Sequence, residues 1–162
     1  MKQLDLNEIR KKKKGEIGEE RVARAIKEKG YYEVIHVGGA VKYEIDGARF
    51  GDADLLPYGR GNTFWVQVKY KNHRNAYRDT GLELWRFRRL QKLEEDSGMP
   101  VLLIFTDNSG QIYGNWIDRL PEDDKKHGNT WNSKDDCQMI YFWLRDLKDL
   151  GFLLRDREVS KD

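Results

Sequence analysis

The pattern of apolar and polar positions along the chain switches between a helical period and a strand period, which predicts a mixed α/β fold. In residues 15–29 the apolar side chains Val22, Ala23 and Ile26 form a single stripe, and Gly30 is a typical residue for the end of a helix. We therefore expect an amphipathic helix whose stripe packs on the rest of the fold.

Residues 51–71 predict a β-hairpin around which the other elements are arranged. The segment after the turn is rich in β-branched and aromatic side chains. With Arg60-Gly61 at the turn centre, the numbers of paired residues sum to about 121, so that Asp54 faces Gln67. Gln67 and Lys69 are two residues apart and share a face of the strand. A register shift of one residue would turn the side chains of one strand to the other face.

Four further segments have strand character, and one of them is expected to form the central strand of the sheet. These segments are residues 31–37, 100–106, 111–117 and 139–144. The run 100–106 is continuously apolar, which is typical of a strand buried on both faces. A polar, glycine-containing turn then leads into the next strand, so a β-α-β arrangement follows the hairpin.

Two helices are predicted in the second half of the chain. Thr80-x-x-Glu83 matches a capping box, so we expect a helix that begins there and runs to Ser97. Its packed stripe recurs every three residues, at Leu84, Phe87, Leu90 and Leu93. A second, short helix at 145–154 would turn a set of apolar side chains inward, namely Leu147, Leu150, Phe152 and Leu153.

The hairpin brings together side chains with the chemistry of a phosphodiesterase site. Mg²⁺ prefers oxygen ligands and keeps several waters, and Asp54, the Gln67 amide oxygen and a neighbouring main-chain carbonyl would supply such ligands. Lys69 would stabilise charge on a phosphate or help to position and deprotonate an attacking water. An ordinary exposed hairpin carries the same residues, because D-x12-Q-x-K is a permissive pattern. The hairpin alone leaves both interpretations open.

The predicted first helix adds a carboxylate in an unusual position. Glu19 lies three, four and seven residues before Val22, Ala23 and Ile26, and therefore on the apolar side of the helix. Glu20 falls on the solvated side. A glutamate on an apolar stripe needs a partner or a metal ion. A partly exposed glutamate at the start of the helix is the alternative.

Composition places the chain among globular proteins with a highly charged surface. Of its 162 residues, 36% are charged and 38% are apolar. No apolar run approaches the roughly 20 residues of a membrane helix, and no signal peptide precedes the charged start. Cys137 is the single cysteine, which excludes an internal disulfide and a multi-cysteine metal site. We expect a cytoplasmic protein, cellular or virus-encoded, without a membrane or small-molecule cofactor.

Positive charge is concentrated around the hairpin. Residues 60–92 contain nine basic and two acidic side chains, a net charge of +7, which suits a polyanionic partner such as DNA. Solvated charge, a solubilising tail and an ordinary polar loop are the competing interpretations. The candidate phosphate contacts lie in the basic start of the chain, in the loop before the hairpin and in the segment after it: Lys11, Lys12, Lys13, Lys14, Lys42, Arg49, Lys71, Arg74 and Arg78.

The motif Lys14-Gly15-x-x-x-Glu19, followed by Asp54 and by Gln67-Val68-Lys69, resembles the PD-(D/E)XK nuclease superfamily. It is most similar to the archaeal-type Holliday junction resolvases, over residues 14–118. The resemblance implies an α/β fold, a restriction-endonuclease-like mixed β-sheet flanked by helices with an α-β-β-β-α-β core. It implies DNA cleavage with Mg²⁺ (or Mn²⁺), a branched or four-way-junction substrate, and a homodimer. The implied catalytic residues are Glu19, Asp54, Gln67 and Lys69, and the implied metal ligands are Glu19, Asp54, Gln67 and the Val68 carbonyl.

The chain departs from the resolvase pattern at three positions. Glu20 stands where that family has an arginine, Ala53 replaces a proline, and Gln67 replaces an acid. The last change removes a negative charge from the metal site and should weaken cation binding, although other members of the superfamily use Q-x-K.

We expect a basic amino-terminal arm at 1–14, a nuclease core at 15–118, and an extension at 119–162 packed on the same domain. The extension would cap the fold or form a dimer interface. Three alternatives stay open for the function. They are a nuclease of another specificity (restriction-type or transposon-end), a DNA-binding module that has lost catalysis, and an RNA-directed or structural protein.

Overall fold

The computed structural model describes residues 6–38, 44–45, 48–49, 52–71, 79–120, 126–129 and 138–159. Three α-helices span α1 Leu6–Gly30, α2 Leu84–Ser97 and α3 Leu150–Val159. The strands before α2 are β1 Glu33–His36, β2 Glu44–Ile45, β3 Ala48–Arg49, β4 Leu55–Gly59, β5 Asn62–Thr63, β6 Trp65–Tyr70 and β7 Asp79–Glu83. The strands after it are β8 Val101–Thr106, β9 Ile112–Trp116, β10 Lys126–Asn129, β11 Gln138–Trp143 and β12 Lys148–Asp149.

The main sheet is mixed, as the sequence predicts. Its strand order is β1-β4-β6-β8-β9-β12, with β5 paired to β4. β6 and β8 are parallel, and the other pairs are antiparallel. β10, β11 and β7 form a separate three-stranded sheet, and β2 pairs with β3. The expected β-α-β arrangement is thus present as β6-α2-β8, because a parallel pair needs a crossover connection.

Hydrophobic side chains cover both faces of the main sheet. On one face Val66 and Ile104 pack with Val22 and Ile26 of α1 and with Leu153 of α3. On the other face Trp65, Leu103 and Phe105 pack with α2 and with β11 through a second cluster. All six residues of β8 are buried, which confirms the prediction of a central strand covered on both sides.

The hairpin has the register that its turn residues predict. Tyr58 pairs with Thr63, Gly59 with Asn62, and Leu55 with Val66. The turn residues Arg60 and Gly61 both have positive φ, 52° and 75°, the backbone that a two-residue type I′ turn requires. This register brings Asp54, one residue before Leu55, alongside Gln67.

Three predicted features differ in the structure. Helix α1 spans Leu6–Gly30 and is longer than the helix predicted at 15–29, so Lys11–Lys14 lie within it. The capping box is wrong: residues 79–83 form β7, which pairs with β11, and Glu83 makes no side-chain capping bond to α2. Phe152 is 49% exposed, because α3 begins only at Leu150 and turns Leu153 and Leu154 toward the core instead.

Candidate active site

Helix α1 holds Glu19 against the sheet through a close contact at Gly18. A Cβ atom at Gly18 would lie 3.2 Å from Thr106 Cγ2 and 3.5 Å from Val68 Cγ1. The backbone of α1 therefore passes directly over β6 and the end of β8. Glu19 is half-buried there and Glu20 is exposed, as the helical stripe predicts.

Asp54 is fixed by backbone contacts on both sides. Its N–H donates to the Val66 carbonyl at 2.9 Å, and its carbonyl accepts from the N–H groups of Val37 at 3.0 Å and Gly38 at 3.2 Å. Its carboxylate Oδ2 accepts from the Val68 N–H at 2.8 Å. The side chain of Asp54, just before β4, thus accepts a hydrogen bond from the backbone of β6. This bond holds the carboxylate beside β6.

Glu19 and Asp54 are in contact and share a hydrogen bond. Burial, followed by the charge of Asp54, raises the pKa of Glu19 to about 7. Burial also raises the pKa of Asp54, although the Val68 N–H and the charges of Arg86 and Lys69 act in the opposite direction. Two desolvated carboxyls in contact cannot both ionise easily, so without a cation the pair retains a proton near neutral pH.

Gln67 presents an oxygen that the protein leaves unsatisfied. Its side chain is 3% exposed, and its Nε2 donates to the Val68 carbonyl at 3.3 Å. Its Oε1 is buried and has no hydrogen-bond partner. Because a buried acceptor without a partner is costly, this oxygen is well suited to a cation or to a water bound to one.

The donor set fits a hard divalent cation. The described part of the chain has no group of three or more His, Cys, Asp or Glu side chains that could hold a metal ion. A cation here would therefore depend on the two carboxylates of Glu19 and Asp54, together with neutral oxygens. Carboxylate, amide and carbonyl oxygens with room for water match Mg²⁺ or Mn²⁺ and do not match metals that need thiolate or imidazole.

Lys69 is paired with Glu83, which the sequence pattern places in a capping box at the start of a helix. Its Nζ donates to Glu83 Oε1 at 3.0 Å and to Oε2 at 3.3 Å. Arg86 Nε lies 3.4 Å from the same carboxylate. Burial alone would raise the pKa of Glu83, but the charges of Lys69 and Arg86 and the hydrogen bond from Lys69 hold it below its usual value. Glu83 therefore remains an anion that positions Lys69.

Sequence reasoning missed Glu83, and no local signal would have found it. The residue follows Thr80 at capping-box spacing, so its local pattern favours a helix start. Its actual position depends on the pairing of Glu83 with Met139, far along the chain. Asp52, the other acid near the hairpin, lies 4.0 Å from Arg89 of α2. Asp54 is accordingly the acid that joins Glu19.

The structure describes only some of the predicted DNA contacts. Lys11–Lys14 are exposed along α1, and Lys14 Nζ lies 5.9 Å from the centre of the Tyr70 ring. Lys71 follows β6 directly, and its N–H donates to the Thr106 carbonyl at 2.8 Å. The backbone of Arg49 lies in β3. The remaining predicted contacts, Lys42, Arg74 and Arg78, lie outside the described residues.

No helix in the described ranges is both long and apolar enough to cross a membrane.

Comparison with known proteins identifies the fold. No family model matches the chain, and no curated protein matches its sequence. Archaeoglobus fulgidus Hjc, a Holliday junction resolvase from an archaeal hyperthermophile, superimposes with a TM-score of 0.59 at 10% identity, over 88% of this chain and 96% of the other. D212, a nuclease from a fusselovirus, superimposes with a TM-score of 0.56 at 11% identity, over 100% of both chains. The chain therefore has the mixed α/β fold of these two proteins, as its sequence pattern predicts.

Proposed function

We propose that the chain is a DNA endonuclease that uses Mg²⁺ or Mn²⁺ and cleaves branched DNA such as a four-way junction. The observation that carries this proposal is the contact between the carboxyl of Glu19 and that of Asp54, in a hairpin whose register also brings in Gln67 with its buried, unsatisfied Oε1. The two proteins of the same fold, described as a Holliday junction resolvase and a nuclease, support it.

Glu19, Asp54, Gln67 and the Val68 carbonyl would hold the cation, which would supply positive charge for the phosphate and for the attacking water. The carboxyl pair would release its shared proton when the cation binds, because carboxyl groups bind a cation as carboxylate anions. The Val68 N–H keeps Asp54 oriented during this change. The arrangement would thus couple metal binding to deprotonation.

Lys69 would act on the phosphate. Its ammonium group is partly exposed and held by Glu83, so it can offer a donor to a non-bridging phosphate oxygen while it keeps a fixed position. A cation aimed at the oxygens where negative charge develops lowers the barrier for attack of water on phosphorus and for departure of the sugar oxygen.

We also propose the larger organisation that the sequence suggests. The arm at 1–14 includes the exposed first part of α1, whose lysines would follow a phosphate backbone beside the core at 15–118. The extension at 119–162 would pack on the same domain, supported by the pairing of β12 with β9. A homodimer would present two sites to a branched substrate, and the protein would act in the cytoplasm.

Gel cleavage of a labelled immobile four-way junction tests the proposal. Linear duplex is the substrate control, and each reaction is run in Mg²⁺ and in EDTA. We expect paired, symmetrical nicks for the parent in Mg²⁺ and none for Asp54→Asn. Glu20→Gln, which removes the neighbouring exposed carboxylate, should cleave like the parent. An intact junction in Mg²⁺ and in Mn²⁺ would refute cleavage of four-way junctions, and cleavage of linear duplex at an equal rate would refute the junction preference.

A second candidate is a DNA-binding module without catalysis. Two observations favour it: Gln67 stands in place of an acid, and Glu83 already neutralises Lys69. This candidate predicts junction binding without cleavage by the parent, and cleavage gained by Gln67→Glu.

A further inference from the structure

Trp85, in the first turn of α2, exposes a large aromatic side chain that the core does not use. The buried stripe of α2 consists of Phe87, Leu90 and Leu93, and Trp85 points away from it with 46% of its surface exposed. An exposed tryptophan is unusual, because its apolar area favours burial. The indole is therefore accessible to a ligand.

Two guanidinium groups lie against this indole. Arg86 is 4.8 Å and Arg89 is 4.9 Å from the ring, measured from Cζ to the ring centre. Both distances are within the range of cation–π attraction. The indole and the two guanidinium groups over it form a positively charged aromatic cluster, here called the Trp85 platform.

The Trp85 platform adjoins the candidate active site through both arginines. Arg86 Nε lies 3.4 Å from Glu83, the acid that holds Lys69. Arg89 lies 4.0 Å from Asp52, two residues before Asp54. A polymer whose phosphate contacts Lys69 would therefore pass close to the platform.

The chemistry of the platform selects its ligand. An aromatic ring with guanidinium planes stacks on a flat π-system, and the positive charge attracts an adjacent phosphate. A nucleotide offers both groups at once. A base within a continuous duplex has both faces covered by its neighbours, so only an unpaired or splayed base can present a face to Trp85.

The following inference rests on the proposed function, in which DNA is the substrate. We propose that the Trp85 platform stacks an unpaired nucleobase next to the phosphate at Lys69. The platform would let the protein distinguish DNA with unpaired bases at a branch or gap from continuous duplex. It would contribute to substrate choice and would not take part in bond cleavage.

Binding in EDTA tests the platform separately from catalysis. Fluorescence anisotropy gives the Kd of the parent, Trp85→Phe and Trp85→Ala for three labelled ligands: single-stranded DNA, a duplex with a short unpaired gap, and a continuous duplex. Tyr58→Ala is the matched control, since Tyr58 is also 46% exposed and lies toward the end of β4 away from Asp54. Thermal unfolding followed by circular dichroism verifies that each variant is folded.

We expect Trp85→Ala to weaken binding to the single-stranded and gapped ligands by about 5- to 150-fold, the range measured for one stacked base. Its Kd for continuous duplex should change less than about twofold, and Trp85→Phe should retain most of the affinity because it keeps a ring. Tyr58→Ala should match the parent on all three ligands.

Three results would overturn the inference: equal loss on all three ligands, no loss on any, or equal loss for the Phe and Ala variants. A parent that binds none of the ligands would overturn the inference, whereas the proposed function is tested separately by cleavage of the four-way junction. A parent that fails to cleave in Mg²⁺ but shows a Trp85-dependent preference for unpaired bases would refute the nuclease activity and support the stacking of a base on Trp85.

Discussion

Lys69 Nζ lies 3.0 Å from Oε1 of Glu83, and this pair joins the predicted site on β6 to a strand of the second sheet. Both side chains are mostly buried, with 25% and 23% of their surface exposed. The ion pair holds the ammonium group of Lys69 in place and connects it to α2 through Arg86. The site is therefore built from four elements, α1, β4, β6 and β7.

Glu83→Gln should impair both stability and cleavage. Lys69 and Arg86 would lose their anionic partner, and hydrogen bonds to charged groups contribute about 1.5–3 kcal/mol. We expect a loss of that size in the free energy of unfolding, measured in urea. We also expect a roughly tenfold lower single-turnover cleavage rate, because Lys69 would no longer be held. Glu95→Gln removes the same charge from an exposed position of α2 and should change neither. An unchanged rate for Glu83→Gln would mean that Lys69 needs no positioning.

The stability of the metal-free protein should fall as pH rises from about 4.5 to about 7. In that interval Glu19 keeps its proton in the folded state, with a pKa of about 7, and loses it in the unfolded state, with a pKa near 4.5. The folded state thus binds more protons, so deprotonation favours unfolding. The raised pKa of Asp54 acts in the same direction.

Urea unfolding in EDTA at pH 5 and pH 8 measures this effect. Glu19→Gln should reduce the difference between the two pH values, whereas Glu20→Gln, at an exposed position, should leave it unchanged. Mg²⁺ should raise the melting temperature more at pH 8 than at pH 5, because protons compete with the cation. An equal difference between the two pH values in the parent and in Glu19→Gln would contradict the raised pKa of Glu19.

Gln67→Glu should strengthen cation binding and weaken the metal-free fold. A third carboxylate increases the charge of the ligand set, and we expect the Mg²⁺ concentration for half-maximal cleavage to fall about tenfold. In EDTA the extra buried charge beside Glu19 and Asp54 should cost about 1–3 kcal/mol in the free energy of unfolding. Gln67→Met, which removes Oε1 but keeps the volume, should raise the Mg²⁺ requirement. Identical Mg²⁺ dependence in all three proteins would show that residue 67 contacts neither the cation nor its waters.

Gly18→Leu should be far more harmful than Gly15→Leu, although both glycines lie in α1. A side chain at Gly18 would meet Thr106 and Val68, whereas nothing lies within 4 Å of a Cβ at Gly15. We expect Gly18→Leu to cost about 1–3 kcal/mol through overpacking and to abolish most cleavage by displacing Glu19. Gly15→Leu should be neutral or stabilising by up to about 1 kcal/mol, because leucine favours helix more than glycine does. Urea unfolding and cleavage assays measure both, and similar effects at the two positions would contradict the close approach of α1 to β6.

Local patterns in the sequence determined the elements that carry Glu19, Asp54, Gln67 and Lys69. The stripe Val22-Ala23-Ile26 sets the orientation of α1, so Glu19 had to lie toward the sheet. The turn residues Arg60 and Gly61 set the hairpin register, so Asp54 had to lie beside Gln67. Both inferences work because the period of a helix and the geometry of a two-residue turn depend on residues close in sequence.

Only the tertiary structure decided the partners of these residues. Thr80 to Glu83 has the local pattern of a helix start, but its backbone pairs with Tyr141, Ile140 and other residues of β11 instead. That pairing brings Glu83 to Lys69 and exposes Trp85 beside the site. The contact of Glu19 with Asp54, which raises the pKa of Glu19, likewise depends on the packing of α1 across β6. Such contacts join residues far apart in the chain, and their free energy comes from burial and long-range pairing that override local propensity.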